Sequence, residues 1–337
     1  MIFVTGGTGL VGSHILMELV KKGRTFKALK RKTSSLEICK KVFKYYNISD
    51  KFNSINWVEG DIIDIVSLGE HIAACEYVIH AAAMLSFHGK KDQKFLEKIN
   101  IEGTQNIVNI SIDCNIKKMV YVSSIAALGR NSTNDTIDEE CYFQHTKLDS
   151  HYAISKYYAE QEVWRGAQEG LDVVILNPSV ILGAGNWDKG SSQMFDKVFQ
   201  GLKFYAPGGT GYVDVVDVAR LVILLLNSKI KNERFIINAE NLKYQYFFNQ
   251  IAKNFNKPEA KIRVTHFLKE LAWRVEAIKS FFTGKESLIT KETANTSMTT
   301  KTYSSRKIKK ATGFCFTPID HSIKKYCDWY ITEHHLK

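Results

Sequence analysis

The chain has 337 residues, of which 45% are apolar and 24% charged, and this ordinary balance excludes wholesale disorder. Its length predicts one large domain or, better matched to this size, two domains of unequal size. The 46 basic and 35 acidic residues give a net charge of +11, which indicates an anionic partner such as a nucleic acid, a membrane surface or a phosphorylated ligand.

The six cysteines are widely spaced and form no C-x-x-C pair, which argues against a zinc ribbon or a dithiol redox centre. We expect reduced thiols, a cytoplasmic protein and no metal site. No basic stretch followed by an apolar one opens the chain, so no signal peptide is expected. The apolar run 215–226 is interrupted by Asp217 and Arg220 and is too short to span a bilayer.

Short apolar runs alternate with helical ones over the first half of the chain. The predicted strands are 2–4, 25–29, 56–58, 77–80, 119–122 and 172–176. The main predicted helices are 10–22, 93–114 and 150–168. This alternation is typical of an α/β fold with a doubly wound parallel sheet, the Rossmann architecture.

After Pro178 the pattern loosens, and from Lys243 onward it is mainly helical and basic. We therefore expect a smaller, mainly helical C-terminal domain that carries the substrate site. The predicted division gives 1–177 and 211–238 to the Rossmann domain, and 178–210 and 239–337 to the substrate-binding domain.

A glycine-rich loop, TGGTGLVG at residues 5–12, joins the first predicted strand to the first helix. The first glycine of such a loop permits a tight turn, the second admits a pyrophosphate, and the third lets helix pack on strand. The free N–H groups of the helix N-terminus attract the anion. Because the motif has the required strand and helix around it, a dinucleotide site is favoured over a mere turn. The predicted contacts are Gly6, Thr8, Gly9, Leu10, Val11 and Gly12.

The end of the second strand bears on the choice of cofactor. Residues 27–35 read KALKRKTSS and contain no carboxylate to bind the ribose hydroxyls of NAD. Arg31 can grip a 2′-phosphate with its guanidinium fork, with Lys32 and Ser34 as further contacts. NADP(H) is therefore favoured, NAD is the alternative, and a solvated basic surface is the non-functional explanation of this run.

A second group of residues carries chemistry. Tyr152 and Lys156 lie four residues apart on a predicted helix, which places the hydroxyl and the ammonium on one face. A nearby cation lowers the pKa of a phenol and makes it usable as an acid or base. Ser124 follows the fifth strand, at the sheet edge where such folds bind ligands, and Ser123 is the alternative serine.

These motifs resemble those of the extended short-chain dehydrogenases/reductases, within the NAD(P)-dependent epimerase/dehydratase superfamily. The dihydroflavonol 4-reductase-like branch is the most similar. The matching segments run almost from end to end of the chain: TGGTGLVG at 5–12, GDIID at 60–64, HAAA at 80–83, IN-x-x-GT-x-N at 99–106, YVSSIAALG at 121–129, YAISK at 152–156, NPSVILG at 177–183, GGTGYVDVVDVA at 208–219 and YSSRKIKKATGF at 303–314.

The resemblance implies a reaction in which hydride passes between C4 of a nicotinamide and a carbonyl or carbinol carbon. Tyr152 would pass the proton, and Lys156 would lower its pKa and hold the nicotinamide ribose. The implied catalytic residues are Ser124, Tyr152, Lys156 and Asn100. The further implied cofactor contacts are Asp61, Ile62, Ala81, Ala82, Ala83, Ser123, Asn177, Pro178 and Ser179, together with Tyr152 and Lys156.

Two absences bear on the substrate. Ile125, Ala126 and Ala127 directly follow Ser124, where a dehydratase of this superfamily has an Asp-Glu pair, which argues against a dehydratase. The segment 208–213 contains no Arg to clamp a diphosphate, which weakens a sugar-nucleotide substrate unless Arg220, Arg234, Arg263 or Arg274 supplies one. The expected pocket is apolar and aromatic, which favours a small, fairly apolar carbonyl compound. The predicted substrate contacts are Met84, Ser86, Phe87, Gln193, Tyr205 and Tyr212.

The sequence thus predicts an NADP(H)-dependent oxidoreductase that reduces a carbonyl, or oxidises the alcohol, of a small-molecule substrate. The alternatives are a nucleoside-diphosphate-sugar epimerase with tightly bound NAD(P) and a non-enzymatic NADP(H)-sensing regulator. His88 and His145 are expected to be bystanders, while His14 and His80 are expected to be packing residues.

The charge is concentrated in two regions, residues 21–51 with a net of +9 and residues 261–337 with a net of +8. No nucleic-acid-binding signature accompanies either region, so no nucleic-acid partner is expected. Residues 267–282 form an amphipathic pattern, for which a helix that covers the core is favoured over peripheral membrane contact. The family resemblance also implies a homodimer, formed through the helices near 93–114 and 150–168.

Overall fold

The computed structural model describes residues 1–86, 90–129, 136–144, 149–283 and 291–335. Fourteen strands lie in these ranges: β1 Ile2–Thr5, β2 Phe26–Lys30, β3 Asn56–Glu59, β4 Tyr77–His80, β5 Lys118–Val122, β6 Thr136–Ile137, β7 Val173–Pro178, β8 Val180–Leu182, β9 Phe204–Tyr205, β10 Gly209–Asp214, β11 Glu233–Ile237, β12 Glu240–Lys243, β13 Ile262–Arg263 and β14 Thr302–Tyr303. The helices are α1 Leu10–Lys21, α2 Glu37–Tyr45, α3 Ile65–Ile72, α4 Lys90–Leu96, α5 Gly103–Asp113, α6 His151–Gln168, α7 Gln193–Phe199, α8 Val215–Leu226, α9 Tyr244–Asn254, α10 His266–Thr283, α11 Lys291–Thr296, α12 Arg306–Thr312 and α13 Ile319–His335.

A seven-stranded sheet in the order β11-β7-β5-β4-β1-β2-β3 forms the centre of the molecule, and every neighbouring pair in it is parallel. The doubly wound Rossmann fold predicted from the sequence is confirmed. The six predicted strands are all present, with ends shifted by a residue or two. Sequence reasoning did not identify the seventh, β11, which pairs with β7 at the sheet edge.

Successive side chains of the central strands enter two different cores. Ile2 and Val4 pack in one apolar cluster with α1 and α8, whereas Phe3 packs in another with α5 and α6. Because side chains alternate across a strand and both faces are covered by helices, these strands are continuously apolar. Burial on both faces fixes the strand register and brings the carboxyl ends of β1, β4, β5 and β7 to one edge.

The sequence predicts a single helix at 93–114, but the structure has three consecutive helical segments there. Helix α4 continues into a π-helical turn at Glu97–Glu102, and α5 follows. A π-helical turn inserts an extra residue into the helical hydrogen-bond ladder and often marks a functional position. Asn100, predicted to be a site residue, lies in this turn and is buried.

A third apolar cluster fills the C-terminal half. It lies around the small sheet β12-β10-β8 and the helices α7, α9 and α13. Asp214 at the end of β10 joins these parts: it caps α8 through the Val216 N–H at 2.8 Å and accepts hydrogen bonds from Ser322 and Tyr326 of α13 at 2.7 and 2.9 Å. The division into cofactor and substrate domains stays a prediction.

Helix α10 does not pack as the sequence predicted. Its apolar residues Phe267, Leu271 and Val275 are exposed, so the expectation that this face covers a core is wrong for these three side chains. None of the helices in the described ranges has the length and hydropathy needed to cross a bilayer.

Candidate active site

The glycine loop lies directly against the end of β4. Gly6 has a φ of +73°, and a Cβ atom built there would stand 2.5 Å from the carbonyl carbon of Ala81. A Cβ at Gly12 would stand 2.0 Å from the Gly6 carbonyl oxygen. Only glycine satisfies both positions. The loop is closed by the Gly9 N–H, which donates to the Gly6 carbonyl at 3.0 Å.

The start of α1 fits a dinucleotide phosphate. Its N-cap, Gly9, offers no side chain to accept from the first N–H groups of the helix. A pyrophosphate placed there meets those donors and the positive end of the helix dipole. Thr8, Leu10 and Val11 are half-buried around this loop. The residues present therefore fit the dinucleotide that the sequence predicts.

The predicted phosphate grip lies in the turn that follows β2. Arg31 and Lys32 are exposed there. Ser34 closes the turn, since its N–H donates to the Arg31 carbonyl at 3.0 Å and its hydroxyl accepts from the Arg31 N–H at 3.2 Å. This turn directly follows the strand beside β1, so both cations lie at the same sheet edge as the glycine loop.

Asp61 and Ile62, two of the implied cofactor contacts, follow β3. Asp61 accepts from the Ile63 N–H at 3.2 Å, a local contact that shapes the turn. Ile62 is buried against Gly103 of α5, and its carbonyl accepts from Asn106 at 3.1 Å. At the end of β4, Ala81 and Ala82 are half-buried and Ala83 is exposed.

The proposed catalytic group is brought together at the ends of β5 and α6. Ser124 is half-buried and starts a short helical turn, where its hydroxyl accepts from the Ala126 N–H at 3.1 Å. Tyr152 lies in the first turn of α6, which Ser150 caps at 3.0 Å. Ser124 lies close enough to Tyr152 to lower the pKa of its phenol.

The pKa of Tyr152 does not follow the prediction. Burial raises it above its usual 10.0, and the hydrogen bond with Ser124 opposes that rise. The expected lowering by Lys156 is wrong for this structure, because the ammonium is bound elsewhere. Lys156 donates to the Tyr121 hydroxyl at 2.7 Å and to the Val122 carbonyl at 3.1 Å.

Lys156 is almost completely buried, and burial lowers its pKa to about 7. The negative charge of Glu160, one turn along α6, acts in the opposite direction and raises it. The ammonium also lies 4.5 Å from the centre of the Tyr121 ring. Tyr121 is therefore a site residue that the sequence analysis missed, although it belongs to the YVSS segment that supplied Ser124.

Asn100 acts as a buried bridge. Its side-chain oxygen accepts from the Met84 N–H at 2.7 Å, while its NH₂ group donates to the Met84 carbonyl at 3.0 Å and to the Ser155 hydroxyl at 2.9 Å. These bonds join the segment after β4 to the helix that carries Tyr152 and Lys156. Because its bonds hold that helix against the segment after β4, Asn100 is a positioning residue.

His80 extends this hydrogen-bond network, and it is buried, as expected for a packing residue. Its two ring nitrogens lie 2.6 Å from the Thr5 hydroxyl and 3.0 Å from the Thr104 hydroxyl. Burial, with a smaller contribution from Lys156, lowers the pKa of His80 to about 3. His14 is likewise buried with its pKa lowered to about 4, and its Nδ1 is 2.8 Å from the Leu10 carbonyl.

A buried carboxylate organises the Ser123–Ser124 turn. Glu160 accepts from the Ser123 hydroxyl at 2.7 Å and from the Asn177 NH₂ group at 2.8 Å. The same NH₂ group donates to the Ser124 carbonyl at 3.0 Å. Arg234 of β11 forms an ion pair with the other oxygen of Glu160 at 3.2 Å.

This arrangement separates the two serines. The Ser123 hydroxyl is buried and donates to Glu160, whereas Ser124 is the serine that lowers the pKa of Tyr152. Sequence reasoning missed both Glu160 and the role of Arg234. Pro178 and Ser179 end this region, with the Ser179 N–H donating to the Ile237 carbonyl of β11 at 3.0 Å.

The predicted substrate contacts are only partly brought together. Met84 and Ser86 follow β4, and the Ser86 hydroxyl donates to Asp92 at 2.5 Å. Gln193 starts α7, and Tyr205 lies in β9; both are half-buried. Phe87 lies outside the described residues, as do His88 and His145.

The prediction that Tyr212 contacts the substrate is wrong. It lies in β10 with both neighbouring strands paired, and its ring stacks on Phe247 with ring centres 4.3 Å apart. The residue is fully buried in the third apolar cluster, so it packs the core and offers no surface to a substrate.

The comparisons with known proteins agree with this geometry. The NAD dependent epimerase/dehydratase family matches residues 2–238. The chain belongs to this family. It is similar to a protein assigned as a dihydroflavonol 4-reductase in Synechocystis, with 31% identity over 82% of this chain and 79% of that protein. It is also similar to cinnamoyl-CoA reductase 1 of Petunia hybrida, with 27% identity over 70% of this chain and 72% of the relative.

Among solved structures, the protein gox2253 superposes with a TM-score of 0.81 at 25% identity, over 99% of this chain and 98% of the other. The chain is thus an NAD(P)-dependent enzyme of the extended short-chain dehydrogenase type, in the dihydroflavonol 4-reductase-like branch. Its cofactor is a nicotinamide dinucleotide, which the glycine loop and the start of α1 fit.

Proposed function

We propose that this enzyme is an NADP(H)-dependent reductase that converts the carbonyl group of a small, fairly apolar compound to the alcohol, or catalyses the reverse oxidation. The observation that carries the proposal is that Ser124 lies close enough to Tyr152 to lower the pKa of its phenol, at the carboxyl edge of the sheet, with Lys156 buried one helical turn away. Two of its relatives are named as reductases, which also supports this proposal.

When bound, the nicotinamide supplies or accepts a hydride at C4. Tyr152 donates the phenolic proton to the carbonyl oxygen as that oxygen gains negative charge. Ser124, which acts on the pKa of Tyr152, orients the same oxygen. Two donors at one oxygen stabilise the charge that develops on it during reduction.

Lys156 contributes its positive charge beside the reaction. The Tyr121 hydroxyl and the Val122 carbonyl hold the ammonium in place, and Glu160 favours its charged form. A protonated Lys156 would hold the ribose of a bound nicotinamide, the other role that the resemblance implies for it. Asn100 positions this helix against the segment after β4.

The preference for NADP(H) rests on the turn after β2. Arg31 and Lys32 are exposed cations at the same sheet edge as the glycine loop, and residues 27–35 contain no carboxylate. A guanidinium can bind a 2′-phosphate through two parallel hydrogen bonds. The first experiment is therefore to titrate the protein with NADPH and with NADH, with tighter binding of NADPH expected.

A sugar-nucleotide epimerase is the second candidate function, and one observation favours it. Arg263 of β13 pairs in register with Tyr205 of β9, so a cation lies beside a predicted substrate contact. Other arginines are committed elsewhere: Arg234 to Glu160, and Arg274 to Glu270. The segment 208–213 lies almost entirely within the buried strand β10, which provides no diphosphate clamp.

One assay separates the candidates. The protein is incubated with NADPH and a panel of aryl and aliphatic carbonyl compounds, and in parallel with nucleotide sugars, and NADPH absorbance and sugar products are followed. Carbonyl-dependent NADPH oxidation that Tyr152→Phe abolishes supports the reductase. Epimerised sugar without net NADPH oxidation would replace it with the second candidate. Cofactor binding without turnover of either panel would instead favour the NADP(H)-sensing regulator.

A further inference from the structure

Exposed apolar side chains are concentrated on α10 and the strand before it. Phe267 is 76% exposed, Leu271 51% and Val275 52%. They follow one another at four-residue intervals, and at 100° per residue such positions drift by only about 40° per step, so they form one stripe along the helix. We call these three residues the α10 stripe.

The helix is attached to the protein through its other face. Lys269, which lies opposite the α10 stripe, is mostly buried and donates to Asn295 of α11 at 2.6 Å. Ala272 and Trp273 are half-buried. Because α10 already has a packed face, the apolar stripe is a separate surface and is not explained by the core of the protein.

The two-stranded sheet β9–β13 lies next to α10 in the chain, since β13 ends at Arg263 and α10 begins at His266. Phe204 and Ile262 are directly paired in register, and both are exposed. Each is flanked by cations, since Lys203 precedes Phe204, and Lys261 and Arg263 enclose Ile262. All three cations are exposed.

The acidic residues of the region offset part of this charge. Glu270 is shared by Lys269 and Arg274, at 3.1 and 2.8 Å. Glu259 accepts from Asn249 at 3.2 Å. Residues 257–276 contain five Lys or Arg and three Glu, which leaves a net of +2.

From the exposed α10 stripe and the cations around it, we propose that this surface docks the enzyme on an anionic lipid bilayer. The α10 stripe enters the boundary between headgroups and acyl chains, and Lys203, Lys261 and Arg263 contact the anionic headgroups. Amphipathic helices of this composition bind bilayers through apolar burial and electrostatic attraction together. The proposal is independent of the substrate and of the reaction direction.

A second copy of the chain fits the same surface less well. A twofold interface places a patch against itself, so the cations that border the α10 stripe would be brought together. Three side chains and a two-residue strand also provide much less apolar area than a stable dimer interface requires.

The test uses the full chain and vesicles of two compositions, phosphatidylcholine alone and phosphatidylcholine with phosphatidylglycerol. Co-sedimentation is measured at low and high salt. We expect binding to the anionic vesicles, little to the neutral ones, and weaker binding as salt is raised. The triple variant Phe267→Ser, Leu271→Ser, Val275→Ser is expected to bind at least about tenfold more weakly.

The matched control is the double variant Ile65→Ser, Val66→Ser at the start of α3, where the side chains are 59% and 73% exposed and no cation cluster is nearby in the chain. It should bind vesicles as the unaltered protein does. Titration with NADPH verifies that each variant is folded. Absence of binding to anionic vesicles, or equal binding by the triple variant, would overturn the proposal. Loss of a dimer in the triple variant, seen by light scattering without vesicles, would assign the surface to a second copy instead.

Discussion

Replacement of the buried Lys156 tests how strongly the active site opposes the stability of the fold. Burial lowers the pKa of this residue from its usual 10.5 to about 7. In the unfolded chain the same amine has a pKa of about 10.4. A difference of about 3.5 pH units, at about 1.4 kcal/mol each, corresponds to roughly 5 kcal/mol of destabilisation when both states are protonated.

The sign follows from the proton balance. Below about pH 7 both states bind the proton, so the full cost is present. Between about pH 7 and about pH 10 the unfolded chain keeps the proton and the folded protein loses it, so the free energy of unfolding rises with pH. Above that window neither state is charged and the cost is gone.

Lys156→Met removes the charge and nearly conserves the volume. It also removes the bonds to the Tyr121 hydroxyl and the Val122 carbonyl, each worth about 1 kcal/mol. At about pH 6 we therefore expect the variant to be more stable than the unaltered protein by about 2–4 kcal/mol. Its reductase activity should be lost.

The assay is urea unfolding followed by tryptophan fluorescence, from about pH 6 to about pH 10. The stability difference between the two proteins should shrink by up to about 1.4 kcal/mol per pH unit above neutrality. Lys51→Met, the same exchange at an exposed position, is the control and should leave the pH dependence unchanged. A difference that does not vary with pH, or a variant less stable at about pH 6, would refute the reasoning.

Three further substitutions test separate parts of the site. Arg31→Asp should weaken NADPH binding at least about tenfold and favour NADH. Lys51→Asp, which makes the same change of charge at an exposed position, should not. Equal effects of the two variants in dinucleotide titrations would show that Arg31 does not bind the 2′-phosphate. Gly12→Ala should abolish dinucleotide binding or folding, because its Cβ would stand 2.0 Å from the Gly6 carbonyl oxygen, and an alanine variant that binds normally by calorimetry would contradict the close approach. Glu160→Gln removes the charge that raises the pKa of Lys156, so the alkaline loss of kcat/KM should begin at lower pH; Glu162→Gln on the same helix is the control, and superimposable pH profiles for the Glu160 variant and the unaltered enzyme would exclude the coupling.

The local features of the site could be predicted because short stretches of sequence encode them. The glycine loop requires particular residues within eight positions, and the structure shows why at Gly6 and Gly12. The apolar runs of the parallel strands reflect burial on both faces. Both signals depend only on neighbours along the chain, and the predicted sheet is present for that reason.

Predictions that needed side-chain direction were less successful. Tyr212 belongs to a motif of the family, but the pairing of β10 on both sides turns its ring onto Phe247 in the core. The amphipathic pattern of residues 267–282 was correctly read as a helix. Which face of α10 meets the protein depended on α11, which the pattern of α10 does not contain.

The sequence by itself determined the Rossmann sheet, the dinucleotide loop and the spacing of Tyr152 and Lys156, because periodicity and glycine geometry act over a few residues. Only the tertiary structure decided which partners these groups have. Lys156 is held by Tyr121, 35 residues away, and Glu160 by Arg234, 74 residues away. The tertiary structure also distinguishes Ser124 from Ser123, since the Ser123 hydroxyl donates to the buried Glu160. A polar group buried at a crossing of β5, β7 and α6 must find a partner there, and the folded chain alone determines which residues are within reach.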